Sequence, residues 1–341
     1  MRATLFIIGV AALLVASLVA TPRAAAEEPA VPDTSELASL SPEQLFLRAA
    51  SSALQFEHMR EPSRKILVRD HETSLPYLVT VLDTDDARER HALEDILVRI
   101  GEPANEMVIE AFLKEAERTD TTRGARLAAG VLGRIGEVSA VGPLASAHGH
   151  GDWKVRGAIG GALGRIGAAE AVPPLVSMLS DDNETVRKSA AVGLRRVAER
   201  ANDTDEPDEA ARRALDEAVV AALVGALSDP SYAVRYSSAD ALASMGEPAL
   251  DALLDACASG KGPARLMAMR AAGGIGSDEA LSTLGRALED EDWTVRAHAA
   301  MAMGEIGPDR RGRRALERLA REDAHPLVVS AAERALAGDD D

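Results

Sequence analysis

The chain has little of what small disulfide-linked domains and β-proteins use to hold their folds. Its 341 residues include one cysteine, Cys257, so an intramolecular disulfide is excluded. Aromatic residues make up only 3% of the chain, and apolar residues do not alternate with polar ones as they do in half-buried strands. Alanine and leucine, which favour helices, are abundant instead. The composition therefore predicts an all-α protein in which Cys257 is a small buried hydrophobic residue.

Positive charge is also scarce. The 38 lysines and arginines are outnumbered by 55 aspartates and glutamates, which gives a formal net charge of −17 at pH 7. Binding to nucleic acid depends largely on neutralising phosphates with basic side chains, and an anionic membrane surface makes the same demand. We therefore expect neither nucleic acid nor a membrane surface as a partner, and we expect charged protein partners to be basic.

A long apolar run occurs only near the N-terminus. Arg2 is followed by 15 apolar or small residues from Leu5 to Val19 and then by Ala24-Ala25-Ala26, which is typical of a cleaved secretory signal peptide. We assign residues 1–26 as the signal peptide and predict an exported protein, periplasmic or secreted, with no stable membrane insertion after cleavage. An uncleaved N-terminal membrane anchor is the alternative, although the run is short for a membrane span.

A five-residue phrase recurs about every 31 residues. Asp152-Trp-Lys-Val-Arg156 runs on to Ile166-Gly167, and Asp292-Trp-Thr-Val-Arg296 runs on to Ile306-Gly307. With the arginine as position zero, one register gives Arg90, Ala125, Arg156, Arg187, Arg235, Arg265, Arg296 and a degenerate Val329. A repeat of this length is one helix pair, which can bury its apolar face only against its neighbours. The pattern predicts an α-α superhelix, or solenoid, of about seven helix pairs plus capping helices.

The recurring positions have physical roles in a helix. Four residues before position zero, Asp86, Asp152, Asn183 and Asp292 carry side-chain oxygens that can cap a helix start. The glycine eleven residues after position zero is expected to end that helix in a left-handed conformation. We interpret the recurring arginines as a structural ladder, in which an arginine pairs with a carboxylate cap four residues earlier. The ladder arginines are Arg90, Arg156, Arg187, Arg235, Arg265 and Arg296.

The same register sets the expected boundaries. We assign residues 27–40 to a disordered spacer, 41–72 to N-terminal capping helices, 73–337 to the repeats and 338–341 to an acidic tail. One interval is stretched to 48 residues, which we attribute to an insertion at residues 199–214.

Two loops contain residue types that bind metals. His148 and His150 lie in a glycine-containing loop before Asp152, although this loop supplies no defined fourth ligand for zinc. Asp203 and Asp205, in the insertion, offer oxygen atoms to Ca²⁺, but the insertion lacks the spacing of an EF-hand. We predict no metal or other cofactor and retain these four residues as candidate ligands.

Two sets of charged residues are candidates for a protein contact. The second helix of the last full repeat is predicted to begin with Arg310, Arg311, Arg313 and Arg314, which oppose the helix dipole and are not explained by helix formation. If the second helices line a concave face, that face also carries an acidic set. Its members are Glu106, Glu110, Asp251 and Asp255.

The phrase Asp-Trp-x-Val-Arg followed by Leu-Gly-x-Ile-Gly resembles the HEAT repeat, in the short form called the phycobilisome-lyase HEAT-like repeat. The resemblance covers residues 73–337 and implies an armadillo-type superhelix that binds proteins on a concave face lined by second helices. It leads us to predict an exported, non-catalytic scaffold for another protein. The alternative is a lyase-like enzyme, or a metal- or cofactor-binding protein, that uses the His148 and His150 loop.

Overall fold

The computed structural model describes residues 35–202 and 208–338. The predicted signal peptide, most of the predicted spacer, Asp203, Asp205 and the last three residues lie outside the described residues. Within the described ranges the chain forms eighteen α-helices and short 3-10 turns, with no strand. This confirms the predicted all-α solenoid of seven helix pairs with capping helices.

Three helices precede the repeats: α1 (Pro42–Ala50), α2 (Glu57–Arg69) and α3 (His71–Leu78). The first helices of the seven pairs are α4 (Ala87–Ile100), α6 (Arg123–Ile135), α8 (Trp153–Ile166), α10 (Glu184–Asn202), α12 (Tyr232–Met245), α14 (Gly262–Ile275) and α16 (Trp293–Ile306). The second helices are α5 (Asn105–Ala116), α7 (Val141–Ser146), α9 (Val172–Met178), α11 (Glu209–Ala226), α13 (Glu247–Ser259), α15 (Asp278–Ala287) and α17 (Arg310–Glu322). A last helix, α18 (Pro326–Ala337), takes the first-helix position of an incomplete eighth copy.

The ends of the first helices follow the recurring positions. Asp152 and Asp292 each accept a hydrogen bond at 2.8 Å from the second backbone N–H of the helix that follows. Asp86 and Asn183 cap their helices in the same way, so the four predicted caps are confirmed. The glycines at plus eleven all have positive φ, and they are Gly101, Gly136, Gly167, Gly246, Gly276 and Gly307. Gly136, Gly167 and Gly276 adopt the expected left-handed conformation, whereas the other three combine positive φ with a different ψ.

Neighbouring first helices approach each other at small residues. In several repeats the residue eight positions after position zero is glycine. It faces a small residue that lies six positions after position zero in the next repeat. A Cβ placed on Gly164 would lie 2.5 Å from the Cα of Gly193, closer than real Cβ atoms come to a neighbour. The same contact joins Gly133 to Ala162, Gly273 to Ala302 and Gly304 to Ala335. The first helices therefore pack with their backbones in contact.

The second helices show no such approach. A Cβ placed on Gly142 or Gly225 would meet nothing within 4 Å, and one on Gly285 would meet only a side-chain atom of a first helix. From α6 to α18, neighbouring first helices also contact each other more extensively than neighbouring second helices do. A two-layer stack curves towards the layer whose helices lie closer together, so we infer that the first helices form the concave layer. This differs from the expectation that second helices line the concave face. Within one repeat the sequence shows which residues are small, but the spacing between repeats decides the direction of curvature.

The stretched interval is filled mainly by longer helices. The residue at plus eleven is Ala198 rather than glycine, and α10 continues past it to Asn202. The second helix α11 starts at Glu209, where Asp208 accepts hydrogen bonds from the N–H groups of two residues in the first turn. Most of the predicted insertion at 199–214 therefore extends the two helices of this repeat.

Candidate functional site

The ladder arginines form ion pairs and hydrogen bonds within the chain. The side chain of Arg187 is only 12% exposed, and its Nε and Nη2 donate to the Asp229 carboxylate at 2.7 and 2.9 Å. Its Nη1 donates to the backbone carbonyls of Asp181 and Asp182. Because every donor direction has an acceptor within the chain, Arg187 ties the end of one repeat to the next.

The carboxylates that pair with the ladder belong to the following repeat. Arg156 binds Asp181 at 2.6 Å and Arg296 binds Asp323 at 2.7 Å. Each aspartate lies six residues before position zero of the next copy. The predicted pairing of Arg156 and Arg296 with the caps four residues earlier is therefore wrong, because those caps are occupied by backbone N–H groups at the helix start.

The other ladder arginines vary this arrangement. Arg265 binds Asp290 at 2.7 Å. Arg90 donates to backbone carbonyls of the loop before α4, so Asp86 is not its acceptor. Arg235 likewise donates to two carbonyls of the loop before α12. The ladder thus stabilises loops and repeat joints.

These contacts keep the paired aspartates ionised. The hydrogen bond from Arg296 lowers the pKa of Asp323. At Asp229, burial is the largest influence and would raise the pKa, but hydrogen bonds from Arg187 and from the Ser231 N–H outweigh it, and the pKa is lowered. Asp229 and Asp323 therefore act as fixed structural anions near neutral pH.

The histidine loop is held by contacts to its own backbone. The Asp152 N–H donates to Nδ1 of His150 at 2.9 Å, and Nδ1 of His148 lies 2.7 Å from the carbonyl oxygen of Ala145. The Asp152 carboxylate is shared between its helix cap and the Thr122 hydroxyl. Among the described residues, no group of three or more histidines, cysteines, aspartates or glutamates is arranged to hold a metal ion.

Cys257 lies in the core of the second-helix layer. It is 2% exposed, and burial raises the pKa of its thiol to about 12. A thiol in this state is not nucleophilic at neutral pH. Its position confirms the prediction of a small buried hydrophobic residue.

The arginine set at the start of α17 lies on the second-helix layer. Arg310, Arg311 and Arg314 are exposed and line a surface depression of about 390 Å³ with Glu289 and Arg318. The helix start is capped by Asp309, which accepts from a backbone N–H of the first turn. Arg313 belongs to the same turn. Their role in binding a protein stays a prediction.

The predicted acidic set is exposed, but on the outer layer. Glu106 and Glu110 lie on α5, and Asp251 and Asp255 lie on α13. Since the first helices form the concave layer, these four carboxylates are on the convex side. The concave face has a different composition.

A basic groove runs across the first-helix face of α6, α8 and α10. We define it by four exposed cations, Arg126, Arg165, Lys188 and Arg196. It comprises two depressions of about 520 and 280 Å³ on either side of α8. No carboxylate pairs with any of the four within the described residues. This surface is positively charged although the chain as a whole is acidic.

Arg165 is the centre of the groove. Burial, followed by repulsion from Arg196 and then from Arg134, lowers the pKa of Arg165, and only Glu94 acts in the opposite direction. Glu94 is itself bound to Arg134 at 3.0 Å. The cations of neighbouring first helices are thus close enough to repel each other, and Glu94 offsets this repulsion only in part.

The basic groove is missing from the sequence-based predictions, but a signal for it exists. Position plus nine is arginine in four consecutive copies, within phrases such as Leu-Gly-Arg-Ile-Gly. These residues are Arg99, Arg134, Arg165 and Arg196. The first two are paired, with Glu61 and Glu94. Recognising the last two as free requires the positions of neighbouring helices, which one sequence does not supply.

The C-terminal half of the same face carries exposed aromatic and apolar side chains. Tyr232 and Tyr236 on α12 are 59% and 39% exposed, and Met301 on α16 is 37% exposed. The Arg270 guanidinium lies 4.5 Å from the centre of the Tyr236 ring. Trp293 stacks on His325 with ring centres 3.7 Å apart, so it covers the joint between α16 and α18.

Comparisons with known proteins support the fold. Residues 109–195, 203–265 and 258–337 match a family model described as HEAT repeats. No curated protein sequence matches the chain. In residues 35–202 and 208–338, no helix is long and apolar enough to cross a membrane.

Solved structures with the same fold include importin-beta chains. Yeast importin-beta (Kap95p) shares 13% identity with a TM-score of 0.55, over 87% of this chain and 44% of that one. Kap95 in its complex with Nup1 gives 14% identity, a TM-score of 0.55 and the same coverage. The CpcE and CpcF phycocyanin lyase of Nostoc sp. PCC7120 shares 17% identity with a TM-score of 0.36, over 75% of this chain and 94% of that one. The chain spans less than half of the importin-beta chains, and the likeness to them concerns the fold alone.

Proposed function

Because the chain belongs to the HEAT-repeat family, we propose that it is an exported, non-catalytic scaffold that binds another protein on its first-helix face. The composition of that face carries the proposal. It exposes tyrosine, methionine and arginine side chains, which are enriched in the cores of protein interfaces. The ladder and cap residues, by contrast, are occupied by contacts within the chain.

The architecture supports the same function. A stack of helix pairs offers a long concave surface whose area grows with each repeat. The structurally similar Kap95 chain has been solved in a complex with another protein, Nup1. Nδ1 of His150 accepts a hydrogen bond from a backbone N–H and Nδ1 of His148 lies against a backbone carbonyl, while the ladder arginines bind aspartates and carbonyls, so these polar atoms serve the fold.

Export is the second part of the proposal. It is supported by the apolar run from Leu5 to Val19 and by the small residues Ala24-Ala25-Ala26, which predict cleavage before Glu27. The intact mass of the protein purified from its own host is expected to equal that of residues 27–341. The mass of the full chain, recovered with the membrane fraction, would favour the anchored alternative.

Native mass spectrometry of the untagged protein from its own host tests the scaffold function. We expect a mass excess that corresponds to a second polypeptide. Replacing Tyr232 and Tyr236 together with alanine should weaken that complex at least tenfold, because exposed aromatic residues at interface centres contribute most of the binding energy. A bare mass for the wild-type chain, at concentrations where the partner is abundant, would argue against the proposal.

The matched control is Leu113→Ala. Leu113 is 39% exposed, like Tyr236, but it lies on α5 in the outer layer. The Leu113→Ala variant should still form the complex with the partner protein. Equal loss in the control and the tyrosine variant would point to a general loss of stability instead of a binding face.

A further inference from the structure

We propose that the basic groove binds an acidic, extended segment of the partner protein, with carboxylates about three residues apart. The inference rests on the proposed scaffold function and specifies which chemical groups the partner presents to this face. It reverses the expectation from net charge, which favours a basic partner. The local surface decides the contact, and here that surface is cationic.

The first observation is that the side chains of the four cations have no hydrogen-bond or ion-pair partner in the described part of the chain. These are the side chains of Arg126, Arg165, Lys188 and Arg196. The arginines around them do have partners: Arg134 binds Glu94 at 3.0 Å, and Arg195 binds Glu199 at 3.2 Å. A chain with 55 acidic residues could pair the groove cations too. Their isolation leaves positive charge available for an external anion.

The second observation is the floor of the groove. Gly130 and Gly161 line the two depressions, and Gly157 lies one turn before Gly161 on α8; all three are half-buried and inside helices. A Cβ on Gly130 or Gly157 would meet nothing within 4 Å, and one on Gly161 would meet only the Arg165 guanidinium at 3.8 Å. Glycine weakens a helix interior relative to alanine, and packing within the chain does not require it at these positions. A floor without side chains lets the backbone of a bound segment approach closely.

The third observation is the spacing. Arg165 and Arg196 occupy plus nine of neighbouring first helices, whose axes in packed helices are roughly 8–10 Å apart. A segment in the extended polyproline II conformation has three residues per turn and advances about 3.1 Å per residue, so every third side chain faces the same way and lies roughly one helix further along. A segment that crosses the helices can therefore place one carboxylate opposite each arginine. The planar guanidinium binds a carboxylate through two parallel hydrogen bonds.

A polypeptide fits better than the other polyanions. Nucleic acid carries phosphates along its whole length. Phosphates that extend beyond the groove would be repelled by the carboxylates of this acidic chain. Anionic membranes present a flat surface, whereas the groove lies on the concave side of the stack. A short acidic segment concentrates its charge within the groove and exposes little elsewhere.

Fluorescence anisotropy on the mature full chain tests the proposal. The probe is a labelled 15-residue peptide of repeated Gly-Ser-Glu, and the comparison peptide has glutamine in place of glutamate. We expect the glutamate peptide to bind, the glutamine peptide not to bind, and Arg165→Gln with Arg196→Gln to weaken binding at least tenfold. Affinity should fall as salt is raised, because exposed charges are screened.

The matched control is Arg310→Gln with Arg311→Gln on α17, which removes the same charge from the outer layer. It should bind the peptide within twofold of wild type. Both variants should keep the wild-type circular dichroism melt, since neither pair has a carboxylate partner within residues 35–202 and 208–338. Equal loss in both variants would mean non-specific charge binding, and loss only in the α17 variant would place the acidic contact there; each result overturns the proposal.

Two further outcomes overturn it as well. One is tighter binding to single-stranded RNA or to phosphatidylserine vesicles than to the peptide under the same salt conditions. The other is a natural partner that remains bound to the Arg165→Gln, Arg196→Gln variant, which would leave the scaffold function intact. Failure of the scaffold function itself has a different signature, namely a wild-type chain without any protein partner.

Discussion

Alanine in place of Gly164 should destabilise the protein by about 1–3 kcal/mol, whereas alanine in place of Gly161, in the same helix, should stabilise it by about 0.5–1 kcal/mol. The added Cβ at Gly164 would lie 2.5 Å from the Cα of Gly193, so two first helices must separate. At Gly161 the new methyl group meets only a mobile guanidinium. The same substitution thus has opposite effects three residues apart.

Urea unfolding followed by circular dichroism measures both effects. Gly133 and Gly130 provide a second pair in α6, because a Cβ on Gly133 would lie 2.6 Å from the Cα of Ala162 and one on Gly130 would meet nothing within 4 Å. If all four variants shifted the midpoint in the same direction, the first helices would not be the closely packed layer. The inference that the first helices form the concave face would then also be wrong.

Helix ends were the most predictable part of the fold. A cap such as Asp152 and a stop such as Gly167 act within one or two turns of their own helix, so their effect can be worked out from neighbouring residues alone. The partner of Arg156 is different. Its carboxylate, Asp181, lies 25 residues away in sequence, and its selection over Asp152 depends on the turn that joins two repeats.

The candidate site depends on an even less local property. Arginine at plus nine is visible in the sequence, but the face on which it lies becomes a groove only because the stack curves towards the first helices. That curvature comes from contacts such as Gly164 with Gly193, each weak in isolation and repeated along the chain. From the sequence alone, the acidic residues of α5 and α13 are expected on the concave face, and the unpaired cations of α8 and α10 cannot be distinguished from paired ones.

Alanine in place of Asp229 should cost about 3 kcal/mol of stability at pH 7, because it breaks a buried ion pair and leaves the Arg187 guanidinium without its acceptor. The two side chains are 12% and 7% exposed. Asp229 also accepts from the Ser231 N–H at 2.7 Å, so the turn before α12 loses its support. Asp240→Ala is the control, since Asp240 is 50% exposed and lies 4.0 Å from Arg195; it should change stability by less than about 0.5 kcal/mol.

The effect of Asp229→Ala should also depend on pH in a definite direction. The folded-state pKa of Asp229 is below that of the unfolded chain, so its carboxylate stabilises the fold fully above about pH 4, the ordinary pKa of aspartate. As the pH falls through the folded-state pKa, the carboxylate is protonated and that stabilisation disappears. The difference between wild type and Asp229→Ala should therefore be constant from pH 5 to 7 and shrink in more acidic solution. A difference that grew on acidification would mean that burial, which opposes ionisation, outweighs Arg187 at this joint between repeats.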